Sequence, residues 1–253
     1  MWRKGLGRGC CFTVQKNVKH RAALAELSRR YRLSGAQHDQ LAAVLRAIGD
    51  DRRAPTSVRE AGRAVDLHLA DALVATELAE LQAAGRLVDI GSGAGMPGVA
   101  LAVALPGCTV SLLESQGRKC TFLRDLVGAA AVTNAEVVWA RAEEWTAGRE
   151  KHDVASARAL AAQPVVLEYA APLLRVGGVL VDWRGRRDPE EEQAAVRAGE
   201  LLGMERRAIV AVAPYPRARD LHLHVWAKRE ATPQRFPRRA GIARKRPLGA
   251  KRR

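Results

Sequence analysis

The spacing of apolar positions changes near residue 85. Upstream, between Arg21 and Ile48, they fall at Leu24, Leu27 and Tyr31, then at Leu41, Val44, Leu45 and Ile48. Steps of three and four predict two helices, with Ser34-Gly35 as the break between them. Asp50-Asp51-Arg52-Arg53-Ala54-Pro55 reads as a polar loop. A third helix is predicted over Ala64–Ala84, stopped by Gly85. No internal repeat is visible.

After Gly85, short apolar runs alternate with helical segments. Strands are predicted at Arg86–Ile90, Thr109–Glu114, Glu136–Trp139, Asp153–Ala157 and Val179–Trp183. The helical segments between them include Pro97–Leu105, Arg118–Ala130 and Pro164–Leu174. Such alternation implies an α/β fold, with a parallel sheet covered on both faces. Two last strands are predicted near Arg207–Ala213 and Leu221–Lys228. The link APYPRARD between them is too short for a helical crossover, so that pair is antiparallel. The chain thus divides into a basic segment (1–21), a helical extension (22–85), an α/β domain (86–230) and a basic tail (231–253).

Charge sharpens this division. The net charge of +15 is concentrated at the two ends. Residues 1–21 carry six Lys/Arg and residues 231–253 carry nine, with no acid in either, so the body is neutral. Basic ends attract polyanions by counterion release, which makes nucleic acid the expected partner. Both ends lack a periodic apolar face. The first is expected to be disordered, and the second to act as a free arm on RNA, the alternative being a tail docked on the domain through Phe236, its one aromatic residue. No apolar run reaches membrane-spanning length. Cys10, Cys11, Cys108 and Cys120 have neither metal spacing nor a disulfide framework. A reduced, cytoplasmic protein with no membrane or metal partner is expected.

The candidate chemistry lies in LVDIGSGAGMPGVALAVAL, residues 87–105. Gly91, Gly93 and Gly95 form D-x-G-x-G-x-G between a strand and a helix. Glycines allow a sharp turn and close approach of a ligand to the backbone. A dinucleotide turn needs G-x-G-x-x-G, and here the third glycine comes one residue early. No Lys-Ser/Thr follows, which excludes a P-loop. Asp89 before the first glycine and Glu114 at the end of the next strand suit S-adenosylmethionine. Glu114 lies where both ribose hydroxyls would donate to one carboxylate. A parallel sheet ending in an antiparallel hairpin also suits a Rossmann-like S-adenosylmethionine-dependent methyltransferase fold better than a dehydrogenase.

These residues carry a resemblance. VDIGSGAGMPGVALAVALP, LLESQGRKCTFLRDL, ARAEEW, DVASARAL and APLLRVGGVLVDWRG resemble, in order and spacing, the glucose-inhibited division protein B family. That family is the bacterial 16S ribosomal RNA (guanine-N7) methyltransferase. TSVREAGRAVDLHLADAL and the ending PQRFPRRAGIARKRPL extend the resemblance over about 56–248. Four departures stand out. DDRRAPTS replaces the family's Trp-Asn and Asn-Leu-Thr stretch, and Leu67 stands where an Arg usually precedes His68. Arg184-Gly185 replaces Lys-Gly, and Glu114 replaces Asp.

The resemblance implies that Gly91 and Met96 line the cofactor pocket, that Ala142 and Glu143 meet the adenine, and that Arg158 sits beside the methyl-transfer site as catalytic and cofactor-binding residue. It also implies a partner in ribosomal RNA, within the small ribosomal subunit or its precursor, and a monomer. The alternatives are a methyltransferase of another substrate and a non-catalytic RNA-binding or ribosome-assembly protein. Arg118-Lys119, Arg184, Arg186 and Arg187 are candidate phosphate contacts, and a solvated charged face is an equal reading for them. His68 and Asp71, one helical turn apart, read as a structural pair. Cys108 and Cys120 lie away from the strands' carboxyl edge, which argues against a cytosine-C5 enzyme. SARALAAQP after the fourth strand lacks the Pro-Pro-aromatic signature of exocyclic-amine methylators.

Overall fold

The computed structural model describes residues 20–250. The expected disorder of residues 1–21 falls almost wholly outside them. Seven strands form one sheet, in the order β3-β2-β1-β4-β5-β7-β6. They are β1 (Arg86–Ile90), β2 (Thr109–Glu114), β3 (Ala135–Trp139), β4 (His152–Arg158), β5 (Leu174–Arg184), β6 (Met204–Val212) and β7 (Leu221–Lys228). β1 to β5 run parallel, and β7 is antiparallel to both β5 and β6. The order in which strands are added reverses between β1 and β4, the switch point where open α/β sheets bind ligands at the strands' carboxyl ends.

Alternation along the strands sorts the helices. Leu87, Val110, Leu112, Val154 and Val181 face one side. Against them pack α1 (residues 20–30), α2 (Gly35–Asp50), α3 (Gly98–Ala104) and α4 (Gly117–Ala129). Val88, Ile90, Leu113, Ala155 and Leu180 face the other side, covered by α5 (Gln163–Ala170) and α6 (Pro189–Leu202). Helices α1 and α2 therefore share one core with the sheet. Ser34 caps α2 in a capping box with Gln37.

The helix predicted over Ala64–Ala84 is broken. It runs as Ala61–Ala64, a π turn at Val65–Ala70, Asp71–Leu73, a 3₁₀ turn at Val74–Glu77, and Ala79–Gln82. Side chains compete for its carbonyls: Arg158 donates to Leu67 O (3.1 Å), Trp183 to Asp71 O (2.7 Å) and Thr76 to Leu73 O (2.7 Å). The helix predicted to reach Leu174 stops at Ala170, before Pro172, and Leu174 opens β5.

The free-arm expectation for the C-terminal tail is corrected. Residues 231–250 pack across α5 and α6 and end with a short helix, α7 (Ile242–Lys245). Phe236 and Ala243 are buried in the second core. Arg238 forks onto the fully buried Glu168 through Nε–Oε1 (2.8 Å) and Nη2–Oε2 (2.5 Å), and its amide adds a third bond (2.9 Å). Two apolar anchors and a bidentate ion pair hold a segment that has no apolar period of its own.

Candidate functional site

β1 passes into α3 through the glycine turn. Gly91, Gly93 and Gly95 have φ of +74°, +54° and +90°, a region that side chains other than hydrogen rarely adopt. A Cβ on Gly95 would lie 2.9 Å from both Leu126 and Val99, so this glycine also lets the turn press onto α4. Beside Gly93 there is open space, its nearest neighbour being Gly91 O at 3.6 Å.

Two carboxylates fix the turn. Asp89 is 1% exposed. Its Oδ1 accepts from Ser156 Oγ (2.8 Å) and its Oδ2 from the Gly98 amide (3.2 Å). Burial pushes its carboxyl above the usual range, against the pull of these bonds. Asp89 thus ties β1 to β4 and α3 from beneath and does not line the pocket above. Glu114, also buried, accepts from the Gly93 amide at Oε2 (3.2 Å) and from the Gln116 amide at Oε1 (2.8 Å). Ser115 Oγ adds a long bond to Oε1 (3.5 Å), and Oε2, with the one amide bond, retains acceptor capacity.

The pocket over the turn is lined by Ile90, Gly91, Leu113, Ser115, Ala140, Arg141, Ala142, Glu143, Leu160, Tyr169 and Arg244. Of the expected cofactor residues, Gly91, Ala142 and Glu143 are on its wall. Gly93 and Glu114 meet one another in the adjoining turn. Met96 is 5% exposed and belongs to the core. Glu143 accepts from the amide of Gly241 in the tail (3.0 Å), and Arg244 donates to Leu160 O (3.0 Å). The tail therefore contributes to this pocket, through residues that no local pattern could have flagged.

Arg158 lines a second pocket, with Asp71, Trp183, Arg184, Arg186 and His222 among its neighbours. Its Nη1 donates to Asp71 Oδ2 (2.8 Å) as well as to Leu67 O. The segment 158–160 is the partition: Arg158 and Ala159 face this side and Leu160 the other. Arg158 thus stands next to the glycine-turn pocket rather than in it. Asp71 pairs with Arg158, not with His68, whose Nε2 faces Thr56 Oγ1 and Val58 O (both 3.2 Å). Sequence spacing along an unbroken helix suggested the wrong partner. Of the expected phosphate contacts, Arg184 is bonded to Glu191 and to Ala161 O, and Arg187 to Glu192. Lys119 lies 3.9 Å from Glu114.

Comparison with known proteins bears on this arrangement. The family model for GidB, described as rRNA small subunit methyltransferase G, matches residues 36–220. The Ribosomal RNA small subunit methyltransferase G of Rubrobacter xylanophilus is 39% identical over 187 residues, 72% of each chain. That of Chloroflexus aggregans is 39% identical over 205 residues, 79% of this chain and 85% of its own. Among solved structures, a mutant of MtNAS in complex with S-adenosylmethionine aligns with a TM-score of 0.53 at 14% identity, over 82% of this chain and 78% of that one. A SAM dependent methyltransferase from Aquifex aeolicus aligns at 0.50 and 16% identity, over 65% and 91%. At these identities the structural matches establish the fold.

Proposed function

The chain belongs to the GidB family, rRNA small subunit methyltransferase G, and from that premise we propose that it transfers a methyl group from S-adenosylmethionine to N7 of a guanine in 16S ribosomal RNA. The observation that carries the reading is the pair of pockets at the sheet's switch point, parted only by residues 158–160. One is walled by Gly91 and Glu143, with Glu114 in the adjoining turn, and the other by Arg158, Arg184 and Arg186.

The residues present fit the cofactor. The open space beside Gly93 admits a ligand to the backbone, and Glu114 next to it can accept from ribose hydroxyls. Ala142 and Glu143 offer an apolar and an acidic contact to adenine. S-adenosylmethionine supplies an activated methyl group when bound. Guanine N7 carries a lone pair and no proton, so the protein needs no general base. Its task is to hold the base in line and to exclude water. Arg158, fixed by Asp71 and Leu67 O, presents its remaining donors to the guanine or its phosphate. Arg186 in the same pocket adds positive charge toward the RNA backbone. The reading implies a cytoplasmic monomer acting on the small subunit or its precursor.

Methyl incorporation from labelled S-adenosylmethionine into small subunits, naked 16S RNA and small molecules tests it. Label should enter RNA as 7-methylguanine. Label only in small molecules, or at another base position, would overturn the assignment.

A further inference from the structure

Trp139 is 65% exposed, the most exposed large apolar side chain among the described residues. It ends β3, the edge strand, at the same carboxyl edge as the two pockets. An exposed indole on a sheet edge is a liability unless it has a use. This one is held in place. Its Nε1 donates to Ser115 O (3.1 Å), and its six-membered ring rests on Gly117, where a Cβ would come within 2.9 Å. Ser115 and Ala140, its neighbours, line the glycine-turn pocket, but the indole does not. The ring is therefore a fixed aromatic surface beside the pocket mouth and not a wall for the cofactor's adenine.

The charge around it selects an occupant. Arg118 follows the glycine on which the ring rests, and Arg141, which also lines the rim of the glycine-turn pocket, lies two residues beyond Trp139. Both are exposed and carry no ion pair among the described residues. Lys119, by contrast, is turned toward Glu114. A fixed indole with two exposed arginines close to it in the chain, neither in an ion pair among the described residues, has the composition of a stacking platform for single-stranded nucleic acid, with the ring taking a base and the arginines the adjoining phosphates. β3 lies three strands from β4, about 14 Å at ordinary strand spacing. That is far enough for the base to be one other than the methylated guanine.

We propose that Trp139 stacks an unpaired base flanking the target guanine, with Arg118 and Arg141 holding the phosphates on either side. The inference rests on the proposed RNA methyl transfer, and its test reads binding separately from chemistry. The probes are a single-stranded RNA oligonucleotide and an abasic one of equal length. Trp139→Ala should bind the base-bearing RNA about tenfold more weakly than the unaltered protein, while binding to the abasic RNA is unchanged. Trp139→Phe, which keeps a ring, should recover most of the loss. Affinity for S-adenosylmethionine should be the same in all three. If alanine destabilises the edge strand, Trp139→Thr, a good strand former, replaces it. Equal RNA affinity in the variants and the unaltered protein would overturn the proposal. So would a loss of cofactor affinity, which would return the indole to the adenine site. If the unaltered protein methylates no RNA, the functional reading fails by itself, whatever the stacking result.

Discussion

Gly93 and Arg158 are the residues whose replacement separates binding from chemistry. Gly93→Val places a branched side chain at a φ of +54° and fills the open space beside the turn. Its affinity for S-adenosylmethionine should fall below detection in calorimetry, and retained affinity would remove the turn from the site. Arg158→Ala should keep cofactor affinity while methyl transfer drops about 100-fold, because a misplaced guanine loses its alignment. Asp71→Ala should act through the same guanidinium. Burial raises the Asp71 carboxyl above its usual range, and Arg158 is what holds it down. The double variant should therefore be no slower than Arg158→Ala alone, a non-additivity expected of residues working as a unit. Additive losses in a double-mutant cycle would mean that Asp71 acts elsewhere.

At the scale of elements, β5 and β7 bury two titratable groups opposite one another. Asp182 and His224 are register partners, each nearly inaccessible, and Gln163 hydrogen-bonds to both. Burial pushes the Asp182 carboxyl up to about 7, opposed by Arg184, and pulls His224 down to about 4. From about pH 4 to 6.5 the folded chain keeps the Asp182 proton that the unfolded chain has lost, so this group makes stability fall as pH rises. Over the same range the unfolded chain holds a His224 proton that the folded chain lacks, so this group makes stability rise with pH. The two nearly cancel. Asp182→Asn should leave the histidine effect exposed. Its unfolding free energy in urea should climb from pH 4.5 to 6.5 relative to the unaltered protein, by up to about 1.4 kcal/mol per pH unit. Parallel profiles would show that Asp182 ionises as it would in water.

For the whole molecule, the tail decides whether the second core is closed. Glu168 has no exposure, and Arg238 is its ionic partner. Arg238→Ala leaves a buried carboxylate uncompensated and should cost about 3 kcal/mol, read as a lower urea midpoint. Ending the chain at residue 230 also removes Phe236, the bond from the Gly241 amide to Glu143, and Arg244 from the glycine-turn pocket. Such a chain should lose cofactor affinity as well as stability. A truncated chain with normal cofactor affinity would show that the tail's packing and the pocket are independent.

The parallel sheet, its antiparallel hairpin and the glycine turn were legible in the chain because each is local. Strand runs, the APYPRARD link and D-x-G-x-G-x-G are fixed by neighbours within a few residues, and β1, β2 and β7 lie where the pattern put them. The resemblance to a known family added Ala142, Glu143 and Arg158. What spacing could not show was how distant charges choose partners. Asp71 faces Arg158 across 87 residues and Glu168 faces Arg238 across 70, and only packing of both sheet faces brings these pairs together. The same long-range bonds break the helix after Ala64 and fasten the tail. Local propensity there is worth tenths of a kcal/mol per residue, while a buried charge without its partner costs several, so tertiary structure overrode the local pattern.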